Sequence, residues 1–170
     1  ERREEFAVRM LGAAARVELD QRLSPDARLR AGADFGAERY SLHTARISPG
    51  DDAYRFFPTR TDTYGGARAD VVIRGSPAVE VIPGVRLDVY SSGGTVLPAI
   101  EPRLATRIAV GRSRRTAWIS TLAVAQQPPA FVVPVPGLKI ADLKSGLQKA
   151  FQLSEAVEAE LPWKVTARIG

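Results

Sequence analysis

A single histidine, His43, and no cysteine limit the nucleophilic chemistry open to this chain. A Ser-His-Asp or Cys-His mechanism would have to run through His43, which has Ser41, Asp51 and Asp52 nearby in sequence. No G-x-S-x-G elbow positions a serine for it. A hydrolase using His43 or acidic loop residues is therefore kept only as a second alternative. Zinc sites draw mainly on several His or Cys ligands, and no metal site is expected. Asp51, Asp52 and Asp62 are oxygen donors in an irregular stretch, but they lack the spacing of a calcium loop, and turn chemistry explains Asp51 and Asp52 without a metal. Gly65-Gly66 and Gly93-Gly94 stand as isolated pairs without the spacing of a phosphate-cradling loop. No cofactor is expected, and the reading is non-enzymatic.

Two clusters are better suited to binding. Tyr54, Arg55, Phe56, Phe57, Arg60 and Tyr64 interleave aromatics with arginines, the residue types that dominate interface energetics. They are expected to bind a protein partner. Arg112, Arg114 and Arg115 crowd a turn, with Arg103 and Arg107 upstream and Trp118 just beyond. A hairpin tip of this kind clamps phosphates or offers a stacking platform, so nucleic-acid binding is the first alternative.

The elements that must position these residues are read from hydrophobic spacing. Phe6, Met10, Ala13, Ala14 and Val17 recur at three- and four-residue intervals in Ala-rich sequence, which predicts an N-terminal helix over 1–24. Val17 and Leu19 also alternate with charges, as a strand would. Residues 40–135 form the expected β-rich core. There Val85, Leu87 and Val89, then Leu104, Thr106, Ile108 and Val110, alternate with other residues at the period of a half-buried strand. Pro134 marks its apolar run as an edge strand or extended arm. Ile140, Leu143, Leu147, Ala150, Phe151, Val157 and Leu161 predict an amphipathic helix over 139–161, ended by Pro162, and a final strand over 163–169 follows. The fold class expected is α+β: one domain, 1–170, holding an antiparallel sandwich or barrel of short strands between two helices.

Composition bounds the rest. Hydrophobic residues make up 45% and charged residues 25% of the 170 residues, enough to fold. The net charge of +5 favours anionic partners. The longest apolar runs fall well short of the roughly twenty residues a membrane helix needs, so a soluble chain without a transmembrane segment is expected. Beginning at Glu1, it is expected to be a processed or excised chain. The function expected is a structural or assembly module of a larger complex, acting through protein–protein contacts in an oligomer. A virion, a phage tail or a bacterial envelope machine is favoured over the cytoplasm, and a ligand-binding β-barrel stays open.

Overall fold

The computed structural model describes residues 6–44, 57–111, 113–129 and 143–170. Eight strands form one antiparallel sheet in which each strand pairs with its sequence neighbours, in the order β1 to β8. They are β1 (Phe6–Arg22), β2 (Ala27–Thr44), β3 (Arg60–Ser76), β4 (Val79–Ser92), β5 (Thr95–Val110), β6 (Thr116–Gln127), β7 (Gln148–Leu161) and β8 (Val165–Ile169). Most run two to three times the ordinary strand length of about five or six residues.

The helices expected at both ends do not form. The segment 1–24 folds as β1 from Phe6 onward, and the segment 139–161 folds as β7 from Gln148 onward. In β1 the residues that share a face are Ala7, Leu11, Ala13, Ala15, Val17 and Leu19, a period of two that the helical reading passed over. Alanine favours a helix by only a few tenths of a kcal/mol per residue. All seventeen residues of β1 pair with β2, and that ladder outweighs the propensity. In β7, Phe151, Leu153, Val157, Ala159 and Leu161 alternate with Gln152, Ser154, Ala156, Glu158 and Glu160, and the strand pairs with β6 from Gln148 to Ala159. Among the described residues the only helical pieces are single 3-10 turns at Leu143–Ser145 and Pro162–Lys164. The described chain is thus β-rich throughout rather than α+β, its strands are long rather than short, and the final strand begins at Val165.

The connections differ between the two ends of the sheet. At one end lie residues 23–26, 77–78, 111–115 and 162–164, all short. At the other end the β2–β3 and β6–β7 connections take up residues 45–59 and 128–147. Gly93-Gly94, with φ of 56° and 80°, closes the β4–β5 hairpin there as a two-residue turn that only left-handed residues fit.

The register sorts the side chains onto two faces. Odd positions of β1–β4 share a face with even positions of β5 and β6 and odd positions of β7 and β8. The buried strand residues Leu42, Asp70, Val72, Asp88, Ala99, Ala117 and Ala156 all lie on the opposite face. The shielded side of this sheet is therefore the one that carries its charges.

Candidate functional site

On the shielded face the motif Arg-x-acid recurs four times, as Arg16-Val-Glu18, Arg60-Thr-Asp62, Arg68-Ala-Asp70 and Arg86-Leu-Asp88. Residues two apart on a strand point the same way, so each motif sets a guanidinium beside a carboxylate. Arg16 meets Glu18 at 2.8 Å, Arg60 meets Asp62 at 2.8 Å and Arg86 meets Asp88 at 2.6 Å.

Further pairs cross from strand to strand and bind the motifs into one lattice. Arg86 on β4 reaches over β3 to Asp34 on β2, with contacts of 2.9 and 3.0 Å. The strand it crosses has Gly66 at that point, where a Cβ would lie 2.2 Å from Asp88 Oδ1 and 2.5 Å from the Arg86 guanidinium. Arg103 on β5 reaches over β4 to Asp70 on β3, donating from Nε at 2.6 Å and from a second nitrogen. Gly84 lies beneath that pair, and its Cβ would meet Asp70 Oδ1 at 1.9 Å. Arg68 on β3 spans β2 to Glu18 on β1 at 2.6 Å, and Arg107 on β5 spans β6 to Glu158 on β7 at 2.9 Å. Asp70 and Asp88 are 5% and 3% exposed. Each is anchored by arginine, as a carboxylate withdrawn from water must be.

Toward the long-connection end, Tyr40 donates to Glu38, the Arg60 guanidinium lies 4.9 Å from the Tyr40 ring centre, and Ser92 donates to Asp62 at 2.5 Å. Among the described residues no three His, Cys, Asp or Glu side chains group as metal ligands.

The other face is apolar and open. Leu11 and Val17 are 67% and 66% exposed, and Ile100 and Phe151 60% and 85%. Apart from Met10, Leu23, Tyr64 and Trp163, every exposed large hydrophobic side chain among the described residues lies on this face. Its apolar lanes run Leu11–Leu19 on β1, Ala27–Ala37 on β2, Gly65–Ile73 on β3, Val79–Val89 on β4 and Val96–Leu104 on β5, of similar length and held side by side by the register. Arg9 and Gln21 bound the lane on β1; Arg39, Thr63 and Ser91 bound those on β2, β3 and β4. Glu155 is the one carboxylate within this field among the described residues. It accepts hydrogen bonds from Ser120 Oγ at 2.7 Å and from the Trp118 indole.

The residues singled out from sequence fall in several places. Arg60 and Tyr64 lie on the ion-paired face of β3, Phe57 is half-buried just before that strand, and Tyr54, Arg55 and Phe56 lie outside the described residues. Arg103 and Arg107 are lattice members, whereas Trp118 stands on the apolar face. Arg114 and Arg115 are exposed in the β5–β6 turn, and Arg112 lies outside the described residues. The arginine-and-tryptophan cluster is thus divided between two faces and a turn. Asp51, Asp52 and the side chain of His43 also lie outside the described residues, as does the Pro134 segment. Sequence reasoning missed Glu18, Asp34, Arg68, Asp70, Arg86 and Asp88; the repeated Arg-x-acid motif was the signal that would have found all of them but Asp34, which joins only through the register. Comparison with protein-family models, with curated proteins and with solved structures gives no match.

Proposed function

We propose that this sheet is part of the wall of a transmembrane β-barrel of the outer-membrane type, its apolar face toward lipid and its ion-paired face toward a polar interior. One observation carries the reading: the exposed face is the apolar one and the shielded face holds the charges, the reverse of a sheet folded in water. A water-soluble monomer rarely exposes a contiguous apolar patch beyond a few hundred Å², and here the patch draws on all eight strands. At about 1 kcal/mol for each half-exposed side chain, covering that face with hydrocarbon is worth on the order of 20 kcal/mol.

Dimensions and polarity agree. A lane from Leu11 to Leu19 extends about 27–30 Å along the strand, which becomes about 20–24 Å once tilted as barrel strands are, close to the apolar band of about 25 Å. Short turns throughout one end, and two long connections out of three at the other, match the usual asymmetry of such barrels. Among the described residues no helix is long and apolar enough to cross a membrane. That length rule applies to helices, and strands cross with alternate residues, which is why a criterion of continuous apolar runs points away from a membrane here.

The reading develops the bacterial-envelope form of the assembly role. It also carries a requirement. The edge of β1 away from β2 has no sheet partner among the described residues, and backbone N–H and C=O groups in hydrocarbon need partners. Further strands, from the same polypeptide or from another, must complete the wall.

The test uses Trp118, which faces outward. In the W163F variant it is the only tryptophan left. In lipid vesicles its fluorescence is expected to be quenched strongly by acyl-chain-brominated lipid and weakly by aqueous iodide. Efficient iodide quenching, or a stable oligomer in plain buffer that buries the apolar face, would replace the membrane reading with a protein-covered sheet.

A further inference from the structure

At the short-turn end, Arg22 of β1, Arg28 and Arg30 of β2 and Arg74 of β3 line a cavity of about 130 Å³. We infer that this cavity is a binding site for a phosphate group. Ser24 adds a hydroxyl from the β1–β2 turn, Asp26 a carboxylate, and Val72 a buried apolar wall.

The arginines are set against one another. Arg22 and Arg28 are directly paired across the β1–β2 ladder, an arrangement of like charges that destabilises a sheet unless an anion intervenes. Val72 stands opposite Arg28, and Arg74, two residues on, joins the group from the third strand.

Their carboxylate contacts are sparse and long compared with the lattice. Asp20 is shared by Arg28 at 3.4 Å and Arg30 at 3.8 Å, and Arg74 meets Glu80 at 3.2 Å. Arg22 donates to the Ser24 carbonyl at 3.2 Å. In the lattice, by contrast, Arg86 has two carboxylates within 3.0 Å. The volume equals that of about four waters, room for one tetrahedral oxyanion. Guanidinium forks match phosphate oxygens in pairs. The turn is fixed in place, with the Asp26 N–H donating to Ser24 Oγ at 3.2 Å and the Arg74 N–H to the Asp26 carbonyl at 2.8 Å. Exposed Arg114 and Arg115 lie at the same end of the sheet on the β5–β6 turn, separated from the cavity by the β3–β4 turn.

Calorimetric titration of the folded chain in zwitterionic detergent tests the site. Inorganic phosphate and pyrophosphate are expected to bind saturably, pyrophosphate more tightly, and chloride at equal ionic strength is expected not to displace them. Arg28→Gln and Arg74→Gln should each weaken binding about tenfold, while Arg114→Gln changes it less than about twofold. Arg28→Lys and Arg74→Lys retain the charge and lose the fork, so they should fall in between; they serve where the Gln variants fold poorly. Titration with phosphatidic acid in zwitterionic vesicles separates the two sources of the group. Binding there but not to free phosphate makes the ligand a lipid headgroup, and the reverse makes it a soluble phosphate. Absence of saturable binding in both, equal displacement by chloride, or unchanged affinity in the Arg28 and Arg74 variants overturns the inference. The cavity is built by β1–β3 and one turn, so its failure leaves the Trp118 quenching result standing, and the converse holds.

Discussion

Gly66 and Gly84 show how much of the ion lattice depends on atoms that are missing. A methyl at Gly66 would sit inside the Arg86–Asp88 contact. Gly66→Ala is therefore expected to push the Arg86 guanidinium off Asp34 and to lower the urea midpoint by the equivalent of about 1–3 kcal/mol. Gly75, where an added Cβ would meet nothing within 4 Å, is the control: Gly75→Ala should leave the midpoint within about 0.5 kcal/mol. Asp88→Asn keeps the shape and removes the charge from a site 3% exposed. Because Arg86 retains Asp34 and some access to water, the expected cost is about 2 kcal/mol, less than for an arginine left fully unpaired. An unchanged midpoint in both Gly66→Ala and Asp88→Asn would show that the lattice contributes little to holding the sheet.

At the scale of the strand, the outward lanes make a graded prediction. Val85→Arg, in the middle of the β4 lane, is expected to cost about 2–4 kcal/mol in lipid, whereas Ser91→Arg at its margin should cost about 0–1 kcal/mol. Refolding into vesicles at rising urea reads the difference, and equal costs at the two positions would remove the depth dependence that a bilayer imposes. The lanes on β4 and β5 were legible in sequence because Val85, Leu87 and Val89 are separated by charged residues or by residues of different kind. Those on β1 were not. Ala13, Ala14 and Ala15 satisfy a helical stripe and a strand lane equally, and only pairing with β2 decides between them. The lattice was half legible: the Arg-x-acid motifs are written in the chain, but the Arg86–Asp34 and Arg103–Asp70 crossings depend on register across a third strand. Which face meets water could not be read from alternation, because a lane of apolar residues looks the same whether it packs on a core or on lipid.

For the whole molecule, the unequal ends predict an orientation. A short epitope tag placed within 45–59 should be reached by antibody on intact cells, and the same tag between Pro77 and Ala78 only after the envelope is opened. Labelling of both on intact cells would contradict a sheet that crosses with fixed polarity. The strand order carries one more consequence. Every strand pairs only with the strands before and after it, so a hairpin such as β3–β4 is a removable unit. Deleting or repeating one leaves each remaining strand with neighbours of the same direction as before, and alters only how many strands share the circumference. Barrel diameter grows roughly in step with strand number. A wall built this way changes bore by whole hairpins, and variation in length among proteins of this architecture is expected in steps of two strands with their turn.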